Sequence, residues 1–383
     1  MAHGSTIVRQ ILHLVPRHAF DRLAAQHHRG AGLRRMSRWS QFVALVVAQL
    51  SGRHSLRDVE ASLAAQQPRL YHLGARVAPR ASLARVNAEQ PHSLYEALCA
   101  KLLERCSALA PRHGFRFRHK LYALDSSFIE LSLSVFPWAT YKASKGAAKL
   151  HVGLDLDGHL PTFVSLTDGQ TSDIAEARRL ALPRGSMVVC DKGYTDFAWY
   201  QGLMNQGVFF VTRSRDNASF EVLGQAEPHH ANVLFDQTVR MTGVKPRAIG
   251  LPPLRRVGWR DPETGKEYVF LTNAFQPAAR TIAEVYRARW RIELFFKWLK
   301  QNLRITTFLG TSRNAVLTQI WVAICVYLML TYLKFVSRTG NSLQEILRLL
   351  HLNLFHRRHL TTLLAGQGRD PVPKWQRNQL VLL

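Results

Sequence analysis

The chain has 383 residues, enough for two or three domains, and its 47% apolar and 20% charged residues exclude a disordered or fibrous protein. The 51 Lys and Arg residues outnumber the 26 Asp and Glu residues, which gives a formal net charge of +25. Such a charge attracts polyanions. Because basic residues lie on nearly every expected element rather than beside an apolar anchor, we expect nucleic acid, and no membrane, as the partner.

Cysteine usage and apolar runs exclude further classes. The four cysteines form no C-x-x-C pair, so neither a disulfide framework nor a cysteine zinc site is indicated, and a reducing cytoplasm is expected. The first twenty residues lack a basic segment followed by a long apolar run, so no secretory leader is expected. The most apolar stretch, residues 320–333, is shorter than the roughly 20 residues of a membrane-spanning helix. We interpret it as a buried core helix.

Helical patterns dominate the first part of the chain. The apolar run WSQFVALVVAQL ends before Gly52, and Ser55 can cap a second helix with Asp58 at the capping-box position. Ser82 and Ser93 are candidate caps of two further helices. We predict that residues 1–112 form a helical, basic, DNA-binding domain, although helical bundles with arginine on the solvent face are also common.

At Lys120 the pattern changes from helical to strand-like. Four β-rich segments alternate with helices that Ser172 and Thr195 can cap, and Asp157-Gly158 is a hairpin turn signal. This order predicts an α/β fold with a mixed sheet and flanking helices. We therefore predict a catalytic core that begins at residues 113–213, a β-rich insertion at 214–278, a return to the core at 279–310, and a C-terminal helical region at 311–383.

Three acids are the candidates for chemistry. Asp125 lies inside the apolar strand YALDSSF, and Asp191 ends the strand MVVCD. A buried carboxylate on a strand is costly unless a positive group meets it, and two neighbouring strands can bring two carboxylates to one metal. The third acid, Glu293, lies on a predicted helix, YRARWRIELFFKWLKQNL, whose residues Leu294, Phe295, Trp298 and Leu299 are expected to form the buried face.

The opposite face of that helix carries Tyr286, Arg289, Glu293, Lys297 and Lys300 at spacings of three and four residues. A single acid among cations suits a group held against metal and phosphate. Two hard divalent cations need carboxylate oxygens, while lysine and arginine bind phosphates without competing for the metals.

Each acid also has an ordinary structural explanation. Asp125 can be a strand acid paired with a nearby arginine, and Asp191 can be a turn residue before Lys192. Glu293 can form a helix-surface ion pair with Arg289 or Lys297. Asp173 is the first substitute if one of the three acids is not catalytic.

The spacing Y-x-x-R-x-x-x-E-x-x-x-x-x-x-K, met by Tyr286, Arg289, Glu293 and Lys300, resembles the YREK signature of the insertion-sequence IS-four family of DDE transposases. The segments LDSSF at Asp125 and VCDKGY at Asp191, and the long β-rich stretch before Glu293, extend this resemblance over nearly the whole chain.

The resemblance implies an RNase H-like catalytic domain whose second and third acids are separated by a β insertion. It implies that Asp125, Asp191 and Glu293 are catalytic and bind two Mg²⁺ ions, with Mn²⁺ as a substitute. Tyr286, Arg289, Lys297 and Lys300 would contact phosphates. An aromatic residue of the insertion stacks on a flipped base in some relatives; Tyr268 is nearest that position, and Trp259 is its rival.

The expected function is cut-and-paste transposition, in which a homodimer synapses the terminal inverted repeats of double-stranded DNA and joins the freed 3′-hydroxyl to target DNA. The expected location is the bacterial cytoplasm, with the nucleoid. Two alternatives are a DNA-binding protein without catalysis and a DDE nuclease recruited to repair or defence.

Overall fold

The computed structural model of the chain describes residues 5–34, 36–77, 79–142, 145–303, 305 and 307–365. These residues divide into two compact units. The first unit joins the residues up to Ala110 with those from Lys297 onward, and the second is Pro111–Phe296. The N-terminal and C-terminal helical regions therefore share one unit, a grouping made by contacts between distant parts of the chain.

The first unit is helical. Its helices are α1 (Ile7–Leu12), α2 (Arg17–Gln26), α3 (Arg38–Leu50), α4 (Leu56–Ala64), α5 (Gln67–Leu70), α6 (Arg80–Glu89), α7 (Ser93–Ser107), α13 (Arg313–Ser337), α14 (Leu343–Asn353) and α15 (Leu360–Leu364), with the later part of α12 (Trp290–Asn302). The core helix α13 packs against α3, α6 and α7. Every residue of α3 is buried, and its polar side chains have partners inside the unit: Arg38 donates to Gln90, and Gln41 donates to Asn87.

The prediction of a buried core helix at residues 320–333 is confirmed. Within this stretch only Trp321 and Tyr332 are not fully buried. By length and composition α13 also resembles a membrane span, but 89% of its most apolar window is buried within the protein. This burial is what the central helix of a helical unit requires.

The second unit is built on one mixed sheet of ten strands. Its strands are β1 (Leu121–Leu131), β2 (Thr140–Lys142), β3 (Lys145–Asp155), β4 (Leu160–Asp168), β5 (Met187–Cys190), β6 (Phe209–Arg213), β7 (Phe220–Ala226), β8 (Val233–Met241), β9 (Leu254–Arg260) and β10 (Glu267–Thr272). The strand order is β2-β3-β1-β5-β6-β10-β9-β8-β7, and β4 also pairs with β3. The predicted mixed α/β fold with helical N-terminal and C-terminal regions is confirmed.

The centre of this sheet is parallel. Strands β1, β5 and β6 run side by side, and β5 is buried at every position, as expected for a parallel strand that is covered on both faces. Helix α9 (Phe197–Asn205) packs against β6, where the Tyr200 ring stacks on Phe210 with 4.3 Å between the ring centroids. The short helix α8 (Asp173–Ala177) follows β4.

The β-rich stretch after residue 214 continues the same sheet. Strands β7 to β10 form an antiparallel meander, and β10 pairs with β6. The sequence showed no helix in this stretch, but Val244–Ala248 forms a short helix, α10. In these pairings β6 lies between β10 and β5, and Asp191 directly follows the end of β5.

The helix predicted from Tyr286 onward is divided in two. Helix α11 spans Ala279–Ala288, and α12 begins at Trp290. At the junction the N–H of Arg289 bonds to the Tyr286 carbonyl, three residues back, which is the tighter turn of a 3₁₀ helix. The expected buried face is also wrong at Leu294, which is 39% exposed, whereas Phe295 and Leu299 are buried.

Local capping signals gave mixed results. Ser55 caps α4 by accepting a hydrogen bond from the Asp58 N–H, as predicted. The prediction at Thr195 is wrong by one residue, because the Asp196 carboxylate accepts from the Trp199 N–H and caps α9. The prediction at Ser82 is wrong, because α6 begins at Arg80, directly after Pro79, and Ser82 lies inside its first turn.

Candidate active site

Asp125 and Asp191 are brought together by the parallel pairing of β1 and β5. The register pairs Leu124 with Cys190, and each aspartate is the next residue. Neighbouring strands lie about 4.8 Å apart, so the two carboxylates belong to adjacent positions. The charge of Asp191 accordingly helps to raise the pKa of Asp125.

Arg289 links two of the three acids. Its Nη1 lies 3.2 Å from Oδ2 of Asp125, and its Nη2 lies 2.5 Å from Oε1 of Glu293. The guanidinium side chain is only 13% exposed. Its Nε is buried without a hydrogen-bond partner among the described residues. The ordinary ion pairs considered for Asp125 and Glu293 are therefore both present, and they run to the same arginine.

Burial dominates the electrostatics of Asp125. It raises the pKa of this carboxyl from 3.8 to about 6, and the charges of Glu293 and Asp191 act in the same direction. The Ser126 N–H, 2.8 Å from Oδ1, and the Arg289 charge lower the pKa but do not cancel the effect of burial. The positive charge near Asp125 is thus too small to offset the cost of ionising this buried carboxyl.

Tyr286 connects α11 to the second aspartate. Its hydroxyl donates a hydrogen bond of 2.9 Å to Oδ1 of Asp191. Burial and the Asp191 charge raise the pKa of Tyr286 well above 10, so the phenol stays protonated and remains a donor. The same ring packs on Phe270 of β10 at 4.7 Å between centroids. The helix and the sheet are therefore held together beside Asp191.

The three acids suit a hard divalent cation chemically, because all their ligand atoms are carboxylate oxygens. In the described ranges, however, no group of three or more His, Cys, Asp or Glu side chains lies close enough to hold a metal ion. Arg289 lies between Asp125 and Glu293 in this arrangement. A metal ion bound to Oδ2 of Asp125 or Oε1 of Glu293 would take an oxygen that now bonds to the Arg289 guanidinium.

A cavity of about 600 Å³ opens beside Asp191, Tyr286 and Arg289. Tyr268 and Trp259 both line it, because they are directly paired across β10 and β9. The Arg213 guanidinium lies 5.5 Å from the centre of the Tyr268 ring. Aromatic faces next to cations suit bases and phosphates. The structure thus places both proposed base-stacking residues in one cavity.

Sequence reasoning did not single out several other residues of this cavity. They are Arg213, Arg280 and Arg287, and His230 and Trp290 line the cavity as well. Trp290 is 56% exposed, which is unusual for a side chain of that size. The sequence pattern that indicates Trp290 as a contact residue is the segment ARWR, where aromatic and basic residues alternate. Arg280 and Arg287 lie on α11, whereas Arg213 ends β6 and His230 lies in a loop, and the sequence did not show that these elements meet.

Lys297 and Lys300 lie farther along α12 than Glu293, in the part of that helix that belongs to the first unit. Lys297 is exposed and Lys300 is half-buried. The predicted phosphate-binding cations therefore lie in different surroundings. Arg289 contacts the acids, whereas Lys297 remains at the surface.

Asp173, the substitute acid, occupies a different environment. It bonds to Lys149 Nζ at 2.8 Å, and His151 Nδ1 lies 3.3 Å away. Burial acts to raise its pKa, but the contacts with His151, Lys149 and Ser126 outweigh burial and lower the pKa strongly. Ser126 follows Asp125 on the strand, so its side chain points to the opposite face of the sheet. Asp173 thus has its own cation in Lys149, while its Oδ1 has no hydrogen-bond partner among the described residues.

Comparison with known sequences agrees with these features. A family described as "Transposase DDE domain" matches residues 116–329, more than half of the chain, and a domain of unknown function (DUF4372) matches residues 3–76. The chain is 31% identical over 289 residues to a Sinorhizobium fredii protein named as a transposase, y4zB, covering 73% of this chain and 79% of that protein.

It is also 30% identical over 248 residues to a Geobacillus stearothermophilus protein named as the transposase of insertion sequence element IS5377, covering 64% of each chain. Among solved structures, a cryo-EM structure of the piggyBac transposase synaptic complex with hairpin DNA matches with a TM-score of 0.45 and 11% identity, over 98% of this chain and 83% of that one. From the family match and the first relative, the chain belongs to the transposase DDE domain family and is a DNA transposase.

Proposed function

We propose that Asp125, Asp191 and Glu293 are the catalytic carboxylates of a cut-and-paste transposase of the IS-four type. In this proposal Tyr286, Arg289, Glu293 and Lys300 form its YREK signature. One observation carries the proposal: two acids of the set bond to one buried guanidinium, while the third is adjacent in the β1–β5 register.

The carboxylates are the groups that would hold Mg²⁺, or Mn²⁺ in its place. Two such ions, when bound, activate the attacking hydroxyl and neutralise the leaving oxygen. The raised pKa of Asp125 supports this role, because a buried carboxylate with acidic neighbours gains most from a bound cation. The family to which the chain belongs also implies dependence on a divalent metal.

The chain's own side chains would position the DNA. Arg289, once released from Asp125 or Glu293, can bind a phosphate through two parallel hydrogen bonds. Tyr286 orients Asp191 through its hydroxyl. Tyr268 or Trp259 would stack on a base that enters the cavity beside Asp191. Lys297 and Lys300 would hold flanking phosphates along α12.

The wider organisation follows the same assignment. We assign an RNase H-like core to residues 113–213 and 279–310, a β insertion to 214–278, a DNA-binding domain to 1–112 and a C-terminal helical region to 311–383. The substrates are the terminal inverted repeats and target DNA, synapsed by a homodimer at the bacterial nucleoid.

The test is cleavage of a labelled element-end duplex by the purified full chain in Mg²⁺ or Mn²⁺. Asp125→Asn, Asp191→Asn and Glu293→Gln are compared with Glu221→Gln, an exposed acid on β7 that pairs with Arg240. We expect the parent and Glu221→Gln to cut, and the three acid variants to bind the duplex without cutting.

Three results would count against the proposal. Cleavage by an acid variant at the parent's rate removes that residue from the catalytic set. A parent that binds the end duplex but cuts in neither metal is a DNA-binding protein without catalysis. Cutting of ends and unrelated duplexes at equal rates, without joining to target DNA, points to a recruited nuclease.

A further inference from the structure

A basic segment rich in aromatic residues precedes β1, away from the acids. In residues 112–120, RHGFRFRHK, the cations at 112, 116, 118 and 120 alternate with rings at 113, 115, 117 and 119. The segment has no regular secondary structure and belongs to the second unit. We call it the arginine strip.

The rings of the strip contact one another. Phe115 and Phe117 stack with their planes 14° apart and their centroids 5.2 Å apart. His113 lies 5.1 Å from Phe117, and His119 lies 5.2 Å from Phe209 of β6. The rings therefore form a continuous row that anchors one side of the segment to the sheet.

Polar contacts fix the backbone of the strip as well. Lys120 Nζ pairs with Asp155 at 2.8 Å and with Asp157 at 2.7 Å, and both carboxylates are buried. The His113 N–H donates to Asp157 Oδ1 at 2.7 Å, and the His119 ring bonds to the Gly185 carbonyl. The nearest acids are thus occupied in holding the segment, and Lys120 is a structural cation.

The remaining arginines of the strip differ from its rings in exposure. Arg112, Arg116 and Arg118 are exposed, whereas the rings of His113, Phe115 and Phe117 are half-buried. Arg184 lines a cavity of about 360 Å³ together with Arg118 and His119, and no carboxylate lines that cavity. None of these four arginines forms an ion pair with a carboxylate in the part of the chain that the structure describes.

Their position separates them from the acids. The strip lies where β1 begins, at Leu121, which pairs with Met187 at the start of β5. Asp191 follows the other end of β5. At about 3.3 Å per residue, four residues along a strand are roughly 13 Å. A duplex bound at the strip therefore meets the protein through phosphates other than the one beside the acids.

We propose that the arginine strip, with Arg184, is a second DNA-binding surface that grips the sugar–phosphate backbone of duplex DNA without reading its sequence. The ring contacts hold the segment in place, and its exposed arginines, which form no ion pair with a carboxylate among the described residues, meet phosphates of the duplex. This inference goes beyond the catalytic assignment and does not depend on the three acids.

The test measures the affinity of the full chain for a random-sequence duplex at several salt concentrations, in EDTA. Each phosphate contact contributes about 0.9 to the slope of log K against log salt. The triple variant Arg116→Gln/Arg118→Gln/Arg184→Gln should lower that slope by about 2 to 3 and should weaken binding at low salt. Its melting temperature should equal the parent's, because the replaced side chains have no ion-paired partner.

A matched control replaces three exposed arginines that already pair with carboxylates, Arg179, Arg240 and Arg260. The control should keep nearly the parent's slope. An unchanged slope in the strip variant, or an equal loss in the control, overturns the proposal. A loss confined to single-stranded DNA would also overturn it, since it would mean that the rings stack on bases. Because no metal is present, failure here leaves the catalytic proposal untouched.

Discussion

Arg255 on β9 is expected to be the most sensitive support of the active site. Its guanidinium bonds to both carboxylate oxygens of Asp236, at 2.8 and 2.7 Å. The same side chain donates to the carbonyls of Ala274, Phe275 and Pro277, at 3.1, 3.3 and 2.6 Å. These carbonyls lie between β10 and α11, the helix that presents Tyr286. Arg255 therefore fixes the start of that helix against the sheet.

The magnitude follows from burial. The Arg255 side chain is 8% exposed and that of Asp236 is 15% exposed, so water cannot replace the lost contacts. Arg255→Ala leaves a buried carboxylate without its cation, which typically costs about 3–5 kcal/mol. At roughly 2–4 °C per kcal/mol for a domain of this size, the melting temperature should fall by about 6–20 °C.

The assay is thermal and urea unfolding of the full chain, with Arg260→Ala as the control on the same strand. Arg260 pairs with Glu267, and both side chains are more than half exposed, so its loss should cost no more than about 1 kcal/mol. The double variant Arg255→Ala/Asp236→Ala should cost less than the sum of the single variants. If Arg255→Ala is no less stable than Arg260→Ala, the hydrogen bonds and the ion pair of Arg255 do not hold α11 in place.

Two further predictions concern the acids. The pKa of Asp125 is raised by burial from 3.8 to about 6, so the folded protein binds this proton more tightly than the unfolded chain does. The ionised carboxylate therefore lowers the free energy of unfolding above pH 6, and this lowering disappears as the pH falls towards 4. In urea titrations without divalent metal, Asp125→Asn should be about 1–3 kcal/mol more stable than the parent at pH 8 and equal to it near pH 4; a constant difference across this range would contradict the assignment. Arg289 should compete with metal for Asp125 and Glu293, so Arg289→Ala should bind Mn²⁺ several-fold more tightly in a magnetic-resonance titration, while Arg289→Lys should stay near the parent. Weaker binding by Arg289→Ala would mean that Arg289 orders the acids instead.

Features set by neighbours in sequence were predictable. The buried helix at residues 320–333, the cap at Ser55 and the hairpin at Asp157-Gly158 all depend on residues a few positions apart. Gly158 adopts a positive φ of 68°, the conformation for which the turn signal selects glycine. The strand positions of Asp125 and Asp191 were visible for the same reason, since a carboxylate interrupts an apolar run.

Features set by distant pairing were not predictable. That β10 would join β6, and so bring Tyr268 and Trp259 to the cavity beside Asp191, depends on contacts across some sixty residues, which no local pattern encodes. The break at Arg289 was missed because the helical spacing continues through it. Arg255 was missed because an arginine at a buried position can be recognised only once Asp236 and the carbonyls around it are located.

The two explanations that the sequence left open for Asp125 and Glu293, an ordinary ion pair or a catalytic carboxylate, are compatible once their partner is known. Both ion pairs exist, but both run to Arg289, and Asp191 is adjacent to Asp125 in the sheet. An ordinary ion pair matches one charge with one charge, whereas here two acids share one guanidinium. The excess negative charge affects Asp125. Burial and the acidic neighbours raise the pKa of this carboxyl to about 6. An unneutralised acid in a buried place costs stability, and the proposed function accounts for that cost: bound cations would stabilise these carboxylates, and a displaced Arg289 would then be free to hold a phosphate.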